Sequence, residues 1–145
     1  MIIHCLFIPL HQDLSISVSN RKETVGYQNW TSKRGQIGVQ APTEILESII
    51  TIRIHLDDTD EQNGALKVIP KSHSNGISRL ETLDLETEQE TFCSVERGGL
   101  MLMKPLLLHA SNRSTGNKQR RVIHLEFSNR ELAGELNWAE RLAVL

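Results

Sequence analysis

IITIRIHLDD, residues 49–58, alternates almost without a break. Ile50, Ile52, Ile54 and Leu56 fall on one side of an extended chain and Thr51, Arg53, His55 and Asp57 on the other, because successive side chains of a strand point to opposite faces. RRVIHLEF, residues 120–127, repeats the pattern, with Ile123, Leu125 and Phe127 on one face and Arg120, Val122, His124 and Glu126 on the other. Each strand therefore has an apolar and a polar face. A polar face carrying Arg and His is either solvated or lines a pocket.

Working outward, further β-rich apolar runs at 2–9, 14–18, 65–69, 91–95 and 99–109 are separated by polar turns. That spacing predicts an antiparallel sandwich or barrel. APTEILESI, residues 41–49, has Pro42 near its start and acidic side chains in its first turn, which predicts a short helix. SRLETLDLETEQE, residues 78–90, reads as a second helix or a charged surface loop. Residues 19–41, rich in Gly, Asn, Ser and Lys, read as one long irregular stretch of the kind that carries function. Asn63 and Gly64 fit a type I′ hairpin turn. No repeat or linker interrupts the 145 residues, so one domain over 1–145 is expected.

Lys and Arg number 16 against 18 Asp and Glu, for a net charge of −2 with neither sign clustered. This argues against a nucleic-acid groove or an anionic membrane surface and for a small-molecule partner. The opening MIIHCLFIPL is too short to span a bilayer and lacks the basic flank of an export signal, so a cytoplasmic setting is expected, with Cys5 and Cys93 reduced.

PLHQD, residues 9–13, puts His11 and Asp13 two positions apart, where an extended chain presents both to one ion and turns Gln12 away. The pair needs a distant third ligand. His109 stands at the end of the apolar run GLMLMKPLLLHAS, residues 99–111, and is either a satisfied buried histidine or that ligand. Two histidines and a carboxylate make the facial triad of non-haem Fe(II) oxygenases, with three coordination positions left open. Eleven residues on, Arg120 offers a planar cation for the distal carboxylate of 2-oxoglutarate. Its neighbour Arg121 shares a face with Ile123, Leu125 and Phe127, so strand parity favours Arg120.

HQDLSISV (11–18), IRIHLDDTDEQNGALKVIPKSH (52–73), GGLMLMKPLLLHAS (98–111) and RRVIHLEF (120–127) together resemble successive blocks of the phytanoyl-CoA dioxygenase family. The resemblance runs from about residue 6 to the C-terminus. It implies an all-β dominated jelly roll, or double-stranded β-helix, with one or two short helices. It implies Fe(II) on His11, Asp13 and His109, and 2-oxoglutarate on Arg120 assisted by Ser111. The activity implied is hydroxylation of a small organic molecule with O2, releasing succinate and carbon dioxide. Asp13 fills the place that related halogenases leave for halide. Leu10 replaces a tryptophan common in relatives, and the section that relatives carry ahead of the H-x-D pair is missing, so the chain resembles an N-terminally truncated enzyme.

Arg53 and His55 on the polar face and Trp30 in the long stretch are substrate candidates, while His73 in IPKSHSNG reads as a structural turn residue. The apolar faces, lacking a covering layer, are expected to pair as a two-fold homodimer. Two other readings stay open: a catalytically silent binding remnant of the same family, and a cupin-like metal isomerase or storage barrel, which H-x-D in place of H-x-H disfavours.

Overall fold

A computed structural model describes residues 2–3, 7–79, 81, 83, 84, 89–114 and 118–142. The alternating stretch becomes β6 (Ile50–His55), which lies inside a four-stranded antiparallel sheet between β11 (Val122–Phe127) and β9 (Leu100–Met103), with β1 (Ile2–Ile3) beyond β11. The register sets Val122 against His55, His124 against Arg53 and Leu125 against Ile52. The polar residues of β6 thus share one face with His124, and the isoleucines share the other with Leu100, Leu102, Leu125 and Phe127.

A second antiparallel sheet orders β2 (Ile8–His11), β10 (His109–Ser111), β7 (Leu66–Val68) and β8 (Thr91–Cys93). The two sheets meet where Met103 of the first packs on Leu66 and Val68 of the second, with Met101, Leu107 and Cys93 around them. A third sheet, β3 (Ser15–Val18), β5 (Gln36–Gln40) and β4 (Gln28–Lys33), closes with α1 (Thr43–Ser48) on the larger core of Ile16, Val18, Tyr27, Val39, Leu46, Ile49, Leu106, Leu132 and Leu136. This is the jelly-roll class, with one short α-helix where APTEILESI predicts it and one 3-10 turn at Ser72–Asn75. Six of the thirteen residues of the second helix candidate lie outside the described residues, and its described members hold no α-helix.

Four local expectations are corrected. Residues 28–40 are a hairpin, not an irregular stretch: Arg34 (φ 52°) and Gly35 (φ 81°) make its left-handed turn, and Gly38 is needed because a Cβ there would meet Thr31 Oγ1 at 2.5 Å. The apolar run 99–109 is two strands in different sheets, because Pro105 has no N–H to continue the ladder. Asn63 and Gly64 form no hairpin, since β6 and β7 belong to different sheets. Instead the fully buried Asn63 side chain staples the crossing, donating from Nδ2 to the Asp58 carbonyl at 2.7 Å and accepting the Asp60 N–H at 2.8 Å. Asp57 leaves the polar face, because β6 stops at His55 and Asp57 turns to accept Arg121 Nε and Nη2 at 2.9 and 2.7 Å.

Leu46, 1% exposed, carries the helix into the larger core. Leu46→Ala should lower unfolding stability by about 2–5 kcal/mol, read as an earlier midpoint in urea at unchanged m-value.

Candidate metal centre

β2 and β10 run antiparallel with His11 directly opposite His109. The register then shifts between His109 and Ser111, which faces Ile8, so β2 carries one extra residue beside the site. The rings lie 4.3 Å apart between centroids, tilted by 52°. Asp13 joins them, with Oδ1 3.4 Å from His11 Nε2 and Oδ2 3.6 Å from His109 Nε2.

The two imidazoles are set by the same device. His11 Nδ1 donates to the Pro9 carbonyl and His109 Nδ1 to the Leu107 carbonyl, both at 2.8 Å. A carbonyl only accepts, so each Nδ1 carries the proton and, in the neutral ring, each Nε2 presents a lone pair to the space shared with Asp13. One ligand atom from each of the three side chains lies within 4.8 Å of the others. This donor set fits a divalent transition metal.

Electrostatics suit the role. The hydrogen bond that its protonated ring donates to Asp13, outweighing burial, holds His11 above the ordinary imidazole range. Burial lowers His109, against the pull of Asp13. Burial pushes the Asp13 carboxyl up, but the His11 hydrogen bond and the charges of His109, His11 and His124 together keep it below its usual range. Asp13 is therefore ionised, and a metal competes at His11 with a proton.

A second trio, Asp13, His124 and Glu126, also brings ligand atoms within 4.8 Å. It is the poorer site. Arg53 Nη1 lies 3.2 Å from His124 Nδ1, and a guanidinium only donates, so Nδ1 accepts and the ring proton sits on Nε2, 3.4 Å from Glu126 Oε1. Neither nitrogen of His124 is left to bind an ion.

The family model for phytanoyl-CoA dioxygenase (PhyH) matches residues 7–122. The chain belongs to the phytanoyl-CoA dioxygenase family. Among solved structures it resembles AviO1 from Streptomyces viridochromogenes, with TM-score 0.57, 18% identity, and 88% of this chain and 48% of that one covered. It also resembles iron-bound HygX from Streptomyces hygroscopicus, with TM-score 0.54, 15% identity, and 88% and 55% covered. SnoK, a non-heme alpha-ketoglutarate-dependent carbocyclase from nogalamycin biosynthesis, gives TM-score 0.54, 14% identity, and 85% and 45% covered. These likenesses show the fold, and the chain spans about half the length of each structure. No curated protein matches the sequence. No helix among the described residues is long and apolar enough to cross a membrane.

In this family member the remaining candidates fall into two groups. Arg120 is 2% exposed, and its Nε and Nη2 have no hydrogen-bond partner among the described residues. Arg121, by contrast, is spent on Asp57 outside. Ser111 is fully buried one alternate position after His109. Arg53 and His55 are buried at 4% and 3% exposure, on the side of β6 opposite the exposed Ile50. Trp30 stands apart: it belongs to β4, packs against the larger core, and lies under the Arg21 guanidinium at 5.4 Å. His73 sits in the 3-10 turn.

Sequence reasoning assigned no role to Gln12 or His124. Gln12 is 9% exposed and clamps three backbone groups, donating to the Leu106 and Gly76 carbonyls at 2.6 and 2.9 Å and accepting the Ser78 N–H at 2.8 Å. Nothing in the sequence marks it, because a residue that points away from a ligand pair looks like surface. The signal for His124 was present in its parity with Arg120.

Burial first, then the charges of Arg53 and Arg120, press His55 down to about 4. The unfolded chain takes up this proton near pH 6.5, whereas the folded protein does so only near 4, so the unfolded state binds more protons in between. Stability should therefore fall as pH drops from about 6.5 to 4, and His55→Gln should flatten that part of the slope in urea midpoints measured at pH 7, 6 and 5.

Proposed function

We propose that this chain carries the iron- and 2-oxoglutarate-binding core of a dioxygenase that hydroxylates a small organic molecule, with succinate and carbon dioxide as co-products. The observation that carries the proposal is the paired tautomer lock. Two histidines with Nδ1 tied to backbone carbonyls turn Nε2 toward one carboxylate. Fe(II), when held by His11, Asp13 and His109, supplies the redox chemistry that couples decarboxylation of the oxo acid to attack by O2 on a carbon–hydrogen bond.

The protein's own contribution is binding and orientation. Asp13 brings one negative charge, and the neutral imidazoles bring none, so a divalent ion keeps a net positive charge that attracts an anionic cosubstrate. Arg120 supplies buried guanidinium donors without another partner among the described residues, which suits the distal carboxylate, with Ser111 on the neighbouring sheet as the assisting hydroxyl. The family and a cytoplasmic setting both accord with a freely diffusing small substrate. The silent-remnant reading shares the ion and anion sites but releases no succinate.

The partner proposed for the outer face of the first sheet is a second copy of this chain. Ile50, Leu100, Leu102, Leu125 and Phe127 are 46, 63, 66, 37 and 49% exposed on that one face. Such side chains offer on the order of 500 Å² of apolar surface, which with a polar rim approaches the ~800 Å² per partner of a stable interface. Sedimentation at micromolar concentration should give a dimer, and Leu102→Glu should return a monomer; a wild-type monomer sinks the pairing.

Succinate release from 2-oxoglutarate is the direct test of the activity, because uncoupled turnover needs no knowledge of the substrate. Wild type should release succinate only with added iron, and His109→Ala should not. Arg120→Ala should weaken 2-oxoglutarate binding by roughly tenfold to a hundredfold while Arg121→Ala leaves it unchanged. Iron and 2-oxoglutarate bound without succinate would transfer the case to the silent remnant.

A further inference from the structure

Six buried side-chain nitrogen and oxygen atoms lack a hydrogen-bond partner among the described residues, and five of them belong to three alternate residues of β6 and to Arg120: Thr51 Oγ1, Arg53 Nε, His55 Nε2, and Arg120 Nε and Nη2. Thr51, Arg53 and His55 are alternate residues of β6, so their side chains form a row. All are nearly inaccessible, at 0, 4 and 3% exposure. A buried donor without an acceptor is costly, and a buried cation without a counter-charge more so. A native protein keeps such a row when something else completes it.

The proposed cosubstrate accounts for Arg120 and not for the row. Arg53 makes its one side-chain bond to His124, a neutral acceptor, and Nε is left over. Arg53 Nη1 lies 3.2 Å from His124 Nδ1, and a ring nitrogen of His124 lies within 4.8 Å of an Asp13 carboxylate oxygen, which sets Arg53 beside the candidate metal ligands. His55 is held within 2.6 Å of Thr59 Oγ1 through Nδ1. Thr59 Oγ1 also donates to the Asp57 carbonyl at 3.3 Å, so it accepts from His55 Nδ1 and leaves Nε2 of the neutral ring a lone pair without a partner among the described residues.

We propose that Arg53, flanked by Thr51 and His55, is a second carboxylate subsite, separate from Arg120 and adjacent to the metal centre. One guanidinium with the Thr51 hydroxyl as a neutral donor on the same face matches a singly charged carboxylate. The carboxylate has two chemical sources: an acidic substrate, or the oxo acid's own metal-side carboxylate. The inference rests on the proposed function for the identity of the Arg120 ligand, but its test does not require turnover.

The experiment follows Arg Nε–H signals by 15N NMR in the zinc-loaded chain, using acetate as the anion and acetamide as its uncharged counterpart. Acetate should shift Arg53 Nε saturably and acetamide should not. Arg53→Gln should weaken acetate binding by about tenfold or more, and Arg121→Gln should leave it unchanged. With 2-oxoglutarate at saturation, an Arg53 signal that still answers to acetate assigns the subsite to an acidic substrate. A signal already moved by 2-oxoglutarate and deaf to acetate assigns it to the oxo acid. An Arg53 signal that answers saturably to neither anion overturns the subsite. Because acetate is also titrated without 2-oxoglutarate, a failure of the cosubstrate to bind counts against the proposed function alone.

Discussion

Five consecutive backbone carbonyls, from Lys104 to Leu108, hold the metal centre together. Lys104 O accepts the Leu107 N–H at 3.0 Å, Pro105 O the Asp13 N–H at 2.9 Å, and Leu106 O the Gln12 side chain at 2.6 Å. Leu107 O accepts His109 Nδ1 at 2.8 Å and Leu108 O the Ile69 N–H at 3.0 Å. Pro105 forces the chain out of β9 at the point where these carbonyls must turn in different directions. One ligand residue is thereby fixed through its backbone and another through its ring, and Gln12, between the first two ligands, is fixed through its side chain. The site is built on a loop whose five consecutive carbonyls all accept hydrogen bonds, as those of a paired strand would.

The first sheet is inverted relative to an ordinary sandwich. Its inner face is polar and buried, carrying Thr51, Arg53 and His55, and its apolar face looks outward. Hydrophobic stabilisation must then come from elsewhere, and it does: the larger core lies under the third sheet and α1, away from the ligands, while only a small cluster around Leu66, Val68 and Met103 joins the two main sheets. The atoms of Thr51, Arg53, His55 and Arg120 that have no partner among the described residues subtract from stability.

The legible part of this architecture was what strand parity controls. Alternation in 50–55 and 122–127 separated the two faces of the first sheet, and the four ordered blocks pointed to the family that the match over 7–122 shows. What misled was local chemistry overridden by long-range pairing. Glycines at 35 and 38 looked like part of an irregular loop but are a hairpin turn and a close approach to Thr31. Asn63 and Gly64 looked like a hairpin, yet the chain there passes from one sheet to the other, a choice no ten-residue window contains. The arrangement of the candidate site was half visible: the types and spacing of its ligands are written in the chain, whereas the carbonyls that choose each tautomer come from residues whose side chains are irrelevant to the choice.

Tautomer choice also links the two halves of the pocket. His11, His109, His55 and His124 are chemically one residue, and the partner at each ring decides what it can do. A carbonyl on Nδ1 leaves Nε2 of His11 and of His109 as the nitrogen able to bind an ion. A guanidinium on Nδ1 makes His124 a donor toward Glu126 and removes it from competition for the ion. Arg53 Nη1, bonded to His124 Nδ1, takes that nitrogen out of the second trio around Asp13, and its Nε has no partner among the described residues. One side chain of β6 thus decides the tautomer of His124 while carrying an open donor on the same buried face as Thr51 and His55.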